Sequence, residues 1–218
     1  MYTLPERDLE AFVRLATLTV QKFYPTIADN ADYTSIINER HYRRVAQYVA
    51  EAKSSGTRVV EINPQHETIA AESRKFAPTL VIEPGDDLAV MREEIFGPVL
   101  PLKTYRSLDE AIGYVNSHPR PLALYYFGVD PGKRDDVLRK TVSGGASVNT
   151  TLFHFAAENL PFGGVGPSGI GAYHGEFGFQ TFSHRKGVFL QRRLNAARFL
   201  HPPFGRLTNL MLKVLKRG

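Results

Sequence analysis

Short apolar strands alternate with amphipathic helices through most of this sequence, and no other feature limits its possible folds as strongly. Ser107 and Glu110 form a capping-box pattern at the start of one of these helices. This alternation is typical of α/β folds with a largely parallel sheet. The sequence predicts helices over residues 5–24, 38–54, 107–115 and 133–141, and strands over residues 2–4, 58–62, 79–82, 123–129 and 146–149.

The composition excludes several classes of chemistry. The 218 residues include no cysteine, so disulfides, thiolate catalysis and cysteine metal sites are absent from this chain. No apolar run approaches the roughly 18 residues that a membrane-spanning helix requires. The lack of disulfides fits a cytoplasmic protein.

The positive charge is concentrated at the C-terminal end. The net charge is +5, yet nine basic residues and no acidic residue follow Glu176, so the rest of the chain is net negative. This distribution does not match a nucleic-acid-binding face, and we expect no nucleic acid as a partner. Leu207, Leu210, Met211 and Val214 recur at helical spacing among basic residues and predict a basic amphipathic helix. Such a tail is expected to meet a partner subunit or an anionic surface.

A glycine-rich segment contains the pattern G-x-G-x-x-G over residues 164–169. As a dinucleotide fingerprint the pattern fails, because no strand precedes it, Pro167 interrupts the turn and no acidic residue lies about 20 residues on. It predicts instead a tight structural loop with positive φ at several glycines, inside an ordered loop over residues 159–178.

Two adjacent carboxylates, Glu93 and Glu94, precede Phe96 and a Gly97-Pro98 break. One interpretation is an exposed acidic turn that leads into a strand. The other is a ligand site, in which one carboxylate accepts hydrogen bonds from a sugar diol and the Phe96 ring packs against a planar base. The residues alone leave both interpretations open.

One predicted strand ends in Asn149, and Phe153, His154 and Phe155 follow closely. This segment is either a strand that leaves the core, with His154 on the surface or hydrogen-bonded in the core, or part of a ligand crevice. Strand ends in α/β sheets line such crevices. His154 has no second histidine at a convincing metal-ligand spacing, so no metal site is expected.

Taken in order, these segments resemble the aldehyde dehydrogenase superfamily. The resemblance covers essentially the whole chain. Residues 91–99 are similar to its EEIFGPV element, residues 148–149 to its VN pair, and residues 161–171 to its PFGG and SG elements. Residues 32–38, 173–175, 182–186 and 202–205 are similar to its class 3 branch, which includes fatty and coniferyl aldehyde dehydrogenases.

The resemblance implies a domain organisation and a partner. We expect an N-terminally truncated catalytic domain over residues 1–184, and an oligomerisation strand and basic tail over residues 185–218. The strand would occupy residues 187–191 and extend a sheet into a second subunit, so a homodimer is expected for the full-length enzyme.

The resemblance also implies site residues. Glu94 would hydrogen-bond the nicotinamide ribose of NAD or NADP, and Phe96 would pack near the nicotinamide. Asn149, Phe153, His154 and Phe155 would lie at the aldehyde entrance.

In such enzymes a cysteine thiolate attacks the aldehyde, a hydride passes to the nicotinamide, and water releases the acid. This chain has no catalytic cysteine. It is therefore expected to be a fragment that begins just after the nucleophile and is inactive alone. The alternative is an inactive half-protein that binds a full-length subunit. A tail that contacts a membrane surface, making the protein peripheral, is a third hypothesis. Coniferyl-type and aliphatic aldehydes fit equally well, and the choice between NAD and NADP stays open.

Overall fold

The computed structural model describes residues 1–191, 193, 201–202 and 204–216, which form an α/β fold with two sheets. The strands are β1 (Tyr2–Pro5), β2 (Arg58–Glu61), β3 (Thr79–Ile82), β4 (Val99–Tyr105), β5 (Ala123–Tyr126) and β6 (Gly145–Val148). The helices are α1 (Leu9–Phe23), α2 (Glu39–Ser54), α3 (Ala89–Arg92), α4 (Leu108–Asn116), α5 (Pro131–Lys140), α6 (Phe153–Ala156), α7 (Gly175–Thr181) and α8 (Arg206–Leu215).

The larger sheet has the strand order β1-β4-β3-β2. Strand β4 pairs in parallel with β1 and β3, and β2 is antiparallel to β3. The smaller sheet is the parallel pair β5-β6. The prediction of a largely parallel sheet with flanking helices is therefore confirmed, with one antiparallel strand at the edge.

Both faces of the larger sheet are covered, and β3 is buried at all four of its residues. Leu80 and Ile82 pack in one cluster with Val13 of α1. Val81, which alternation places on the opposite face, packs in a second cluster with Val45 of α2. This three-layer arrangement fixes α2 against the sheet, which matters for the site described below.

Side-chain caps determine where three of the helices begin. The Asn38 side chain accepts a hydrogen bond from the His41 amide at 3.0 Å at the start of α2. Ser107 accepts one from the Glu110 amide at 3.2 Å at the start of α4, which confirms the predicted cap. Asp130 caps α5 in the same way, with Pro at the first turn.

Several predicted boundaries differ from the structure. The strand predicted over residues 123–129 ends at Tyr126, because the Asn149 side chain takes both backbone groups of Gly128 out of the strand ladder. The loop predicted over residues 159–178 runs into α7, which begins at Gly175.

The oligomerisation strand expected over residues 187–191 stays a prediction, because its proposed neighbour belongs to a second subunit. Residues 187–191 form no strand in the single chain, and Val188, Phe189 and Leu190 are exposed. A strand requires a neighbour for its backbone groups, and no described strand pairs with this segment. The predicted tail helix is formed as α8, whereas residues 192, 194–200, 203 and 217–218 of the tail lie outside the described residues. Among the helices that are described, none has the length and apolar character that a bilayer crossing requires.

A cluster of titratable groups lies beside β4, around Asp86. The Tyr114 hydroxyl donates a hydrogen bond to Asp86 Oδ1 at 2.6 Å, Lys103 Nζ lies 3.6 Å from the same oxygen, and His118 Nε2 lies 4.0 Å from Oδ2. The pKa of Asp86 is lowered by these groups, the Tyr114 hydrogen bond first among them. A carboxyl whose pKa is lower in the folded state stabilises the fold above its unfolded pKa, and this contribution is lost as the pH falls through the folded pKa.

We expect Tyr114→Phe to raise the pKa of Asp86 towards its ordinary value and to make unfolding less sensitive to acid below neutral pH. The carboxyl chemical shift of Asp86, followed by NMR against pH, measures this directly. Tyr125→Phe, on the other sheet, should leave the titration unchanged. An unaltered Asp86 titration in Tyr114→Phe would show that the phenol does not control this pKa.

Candidate functional site

The loop that carries Glu94 and Phe96 connects α3 to β4 and points both side chains into solvent. Glu94 is exposed, and 74% of Phe96 is accessible. Phe96 has a φ of 44°, in the left-handed region that bulky residues rarely adopt. An exposed aromatic ring on a strained backbone needs support from the surrounding structure, and such strain is concentrated at ligand-binding sites.

The support comes from Arg44 of α2. Its Nη1 donates to the Glu94 carbonyl and its Nη2 donates to the Ile95 carbonyl, each at 2.7 Å. Nη1 also lies 2.7 Å from the Tyr48 hydroxyl, which in turn donates to the carboxylate of Glu93. Burial raises the pKa of Tyr48 and its bond to Glu93 raises it further, so the phenol remains a donor. We refer to this arrangement as the Arg44 clamp.

A second contact holds the same loop against α2. A Cβ added to Gly97 would lie 2.8 Å from Cγ2 of Val45, a buried residue. The loop backbone therefore approaches the helix more closely than any side chain would allow. Together with the Arg44 clamp, this close approach orients Glu94 and Phe96 from a rigid element.

A cleft of about 610 Å³ opens beside Phe96. Its wall includes Tyr24 and Tyr33, whose rings meet edge to face at 4.9 Å, and His41. Burial raises the pKa of Tyr33, and its hydroxyl donates to the Phe76 carbonyl at 2.6 Å. The Nδ1 atom of His41 is buried and has no hydrogen-bond partner among the described residues. The cleft thus offers aromatic surface to a ligand.

The sequence reasoning missed Arg44, Tyr48, His41 and Tyr33. Arg44 and Tyr48 share one face of α2 at a spacing of four residues, and this was the only local sign of a paired role. Their partners in the clamp lie 45 to 51 residues further on. Only the packing of α2 on the sheet brings these groups together.

The structure places Asn149 at the end of β6 with a φ of 55°. Its side-chain oxygen accepts from the Gly128 amide at 2.8 Å, and its amide nitrogen donates to the Gly128 carbonyl at 3.0 Å. Both polar ends of the side chain are therefore used to join the ends of the two strands. Asn149 therefore holds the end of β6 against the residues that follow β5.

His154 lies below the surface, only 8% exposed, in α6. Its Nδ1 lies 3.1 Å from the Ser147 hydroxyl, and its Nε2 is buried without a hydrogen-bond partner in the described part of the chain. The ring packs between Tyr125 and Phe162, at 5.7 and 5.6 Å. His154 is thus a core histidine with one unsatisfied nitrogen, and it supports the residues on either side of it.

Phe153 and Phe155 remain at the surface, 70% and 50% exposed. Phe155 packs edge to face on Phe162 at 5.2 Å and lies 5.7 Å from the ring of His174. These rings form an aromatic rim beside the ends of β5 and β6. The predicted site residues therefore fall into two groups, one on the clamped loop beside the larger sheet and one at the smaller sheet.

The motif residues Glu94 and Phe96 lie on a loop beside the parallel-rich sheet, and the aromatic rim follows further along the chain. The chain belongs to the aldehyde dehydrogenase family, whose sequence pattern matches residues 5–188. A probable coniferyl aldehyde dehydrogenase of Caulobacter vibrioides is 55% identical over 204 residues, which are 92% of this chain and 42% of that protein. A coniferyl aldehyde dehydrogenase of Pseudomonas sp. is 49% identical over 214 residues, 97% of this chain and 44% of that protein. The chain thus spans less than half the length of these relatives.

Solved structures agree with this assignment. The substrate-bound state of Staphylococcus aureus AldH superposes with a TM-score of 0.82 and 35% identity, over 96% of this chain and 45% of that one. An NAD-dependent aldehyde dehydrogenase from Sinorhizobium meliloti gives a TM-score of 0.75 and 26% identity, over 89% of this chain and 38% of that one. The resemblance inferred from the motifs is confirmed at the level of family and fold.

Proposed function

We propose that this chain forms the C-terminal part of the catalytic unit of an NAD(P)-dependent aldehyde dehydrogenase that oxidises aldehydes to carboxylic acids. The observation that carries the proposal is the Arg44 clamp, which presents Glu94 and Phe96 together beside an aromatic cleft. The coniferyl aldehyde dehydrogenases among the relatives, and the exposed rings of Phe153 and Phe155, favour an aromatic aldehyde as substrate.

The residues present fit one end of a nicotinamide cofactor. A ribose diol needs a hydrogen-bond acceptor, and the exposed carboxylate of Glu94 supplies one. A planar base needs a ring to pack against, and Phe96 is largely accessible beside the cleft. When bound, NAD or NADP supplies the hydride acceptor. In this proposal the chain's own residues bind and orient the cofactor. The Arg44 clamp fixes Glu94 and Phe96 in position before the cofactor binds.

The chain contains no cysteine, so it supplies no thiolate nucleophile. We therefore propose that the chain does not oxidise aldehydes by itself and requires a nucleophile from outside these 218 residues.

The decisive experiment joins this chain to the part of the Caulobacter relative that precedes its match. We expect this chimera to reduce NAD or NADP in the presence of coniferyl aldehyde, whereas the chain alone forms no reduced cofactor. Glu94→Gln in the chimera should lower kcat/KM for the cofactor about 10- to 100-fold, because a hydrogen bond to a charged acceptor is weakened.

Glu72→Gln, which changes an exposed carboxylate on another turn, serves as the matched control. A chimera that is folded by circular dichroism yet inactive on aromatic and aliphatic aldehydes would contradict the proposed function. Normal activity in Glu94→Gln would contradict only the role of Glu94.

A second candidate function is a partner-binding half-protein. Val188, Phe189 and Leu190 are between 67% and 88% exposed, which is unusual for three consecutive large apolar residues and favours pairing with another subunit. Under this alternative the chain would co-purify with a tagged full-length relative, and Phe189→Asp would abolish the association. In the full-length enzyme the same segment is proposed to join two subunits as a homodimer.

A further inference from the structure

Helix α8 exposes a row of apolar side chains. Leu207, Leu210 and Val214 are 61%, 60% and 66% exposed. At 3.6 residues per turn these three side chains fall on one stripe along the helix. The stripe is therefore a continuous apolar surface rather than a set of scattered residues.

The two flanks of this stripe differ. Thr208 is 5% exposed and Met211 is half-buried, so one flank of α8 is covered. Helical geometry places Arg206 and Lys213 on the opposite flank, next to Leu210, and both are exposed. The stripe consequently lies between this covered flank and a row of positive charge, and its apolar side chains are open to solvent.

The surrounding charge has one sign. No acidic residue follows Glu176 anywhere in the sequence. Arg185, Lys186 and Arg193 in the preceding described segment and Lys216 after α8 add further positive charge. Nothing in this tail repels an anionic surface.

We propose that α8 is a membrane-docking helix that binds anionic phospholipid with the Leu207–Leu210–Val214 stripe in the interface and its basic flank at the headgroups. A helix that lies in a bilayer interface needs an apolar stripe bordered by cations, and α8 has both. An acidic protein partner would need shaped pockets and hydrogen-bonding groups. The stripe offers only aliphatic side chains, so the lipid surface fits better.

The test is sedimentation of the purified chain with vesicles. We expect binding to vesicles of phosphatidylcholine with phosphatidylglycerol, little binding to pure phosphatidylcholine, and weaker binding at 0.5 M NaCl. Leu207→Gln with Leu210→Gln should lower the partition coefficient by about tenfold or more. Lys213→Gln should lower it about fivefold, the factor expected for one basic residue at an anionic surface.

The matched control is Leu15→Gln with Leu18→Gln, because these leucines of α1 are 57% and 54% exposed and lie far from the tail in sequence. This pair of changes should leave vesicle binding intact. Equal sedimentation of all variants, or equal binding to neutral and anionic vesicles, would overturn the proposal. The proposal would also be overturned if the chain does not bind vesicles and the substitutions in α8 change its oligomeric state. In that case α8 would be a contact between subunits.

Discussion

Gly164→Ala is expected to destabilise the chain by about 3 kcal/mol, since the overpacking falls on backbone atoms that cannot rotate away. A Cβ at Gly164 would lie 2.1 Å from the Ser168 carbonyl oxygen and 2.5 Å from the Gly169 nitrogen. The loop closes on itself here through a bridge between Gly166 and Gly169. The free energy of unfolding, measured by urea denaturation with circular dichroism, tests this expectation.

Gly113→Ala is the control for the same chemical change. Gly113 lies within α4, and a Cβ there would meet nothing within 4 Å. Alanine should stabilise this helix by about 0.5–1 kcal/mol. If both variants lost stability equally, close packing at Gly164 would not be the cause.

Arg44→Met is expected to have the largest effect on ligand binding. It removes two charge-assisted hydrogen bonds to the carbonyls of Glu94 and Ile95 and one contact with Tyr48. We expect a loss of about 1–3 kcal/mol in stability. In the chimera described above, kcat/KM for the cofactor should fall about 10- to 100-fold, because Glu94 and Phe96 are no longer held in place.

Two further variants distinguish the effect of losing the clamp from the effect of losing one positive charge. Arg43→Met removes a neighbouring arginine that is exposed and, among the described residues, pairs along its own helix with Glu39, so it should cost no more than about 0.5 kcal/mol. Arg44→Lys keeps the positive charge, but a lysine side chain has no planar guanidinium to donate to both carbonyls. Its activity should therefore lie between those of the unchanged chimera and Arg44→Met. Full activity in Arg44→Lys would show that charge, and not the geometry of the clamp, is what the loop requires.

Local sequence patterns predicted those structural elements whose formation depends on residues close together in the sequence. Strand β3 lies over the predicted residues, because an apolar run of this length is buried on both faces. The cap at Ser107 depends on groups three residues apart. Positive φ in the glycine-rich loop is confirmed at Gly166, Gly169 and Gly171, a backbone conformation that residues with a Cβ rarely adopt.

The features that were missed depend on groups distant in sequence. The end of β5 is determined by the Asn149 side chain, 21 residues away from Gly128. The Arg44 clamp joins residues 50 apart. The residues proposed to bind cofactor and aldehyde were found through family motifs, and their roles remain predictions. Their positions follow from packing that no short window of sequence contains.

The separation of the two sheets has a consequence for how this protein can change during evolution. The clamped loop depends on the four-stranded sheet, with α2 and its buried cluster. The aromatic rim of Phe153 and Phe155 depends on the β5-β6 pair, and two strands alone are only marginally stable. Substitutions in the rim can therefore accumulate without strain in the larger core. Under the function proposed above, such a chain could acquire a different aldehyde preference while the loop that carries Glu94 and Phe96 stays unchanged.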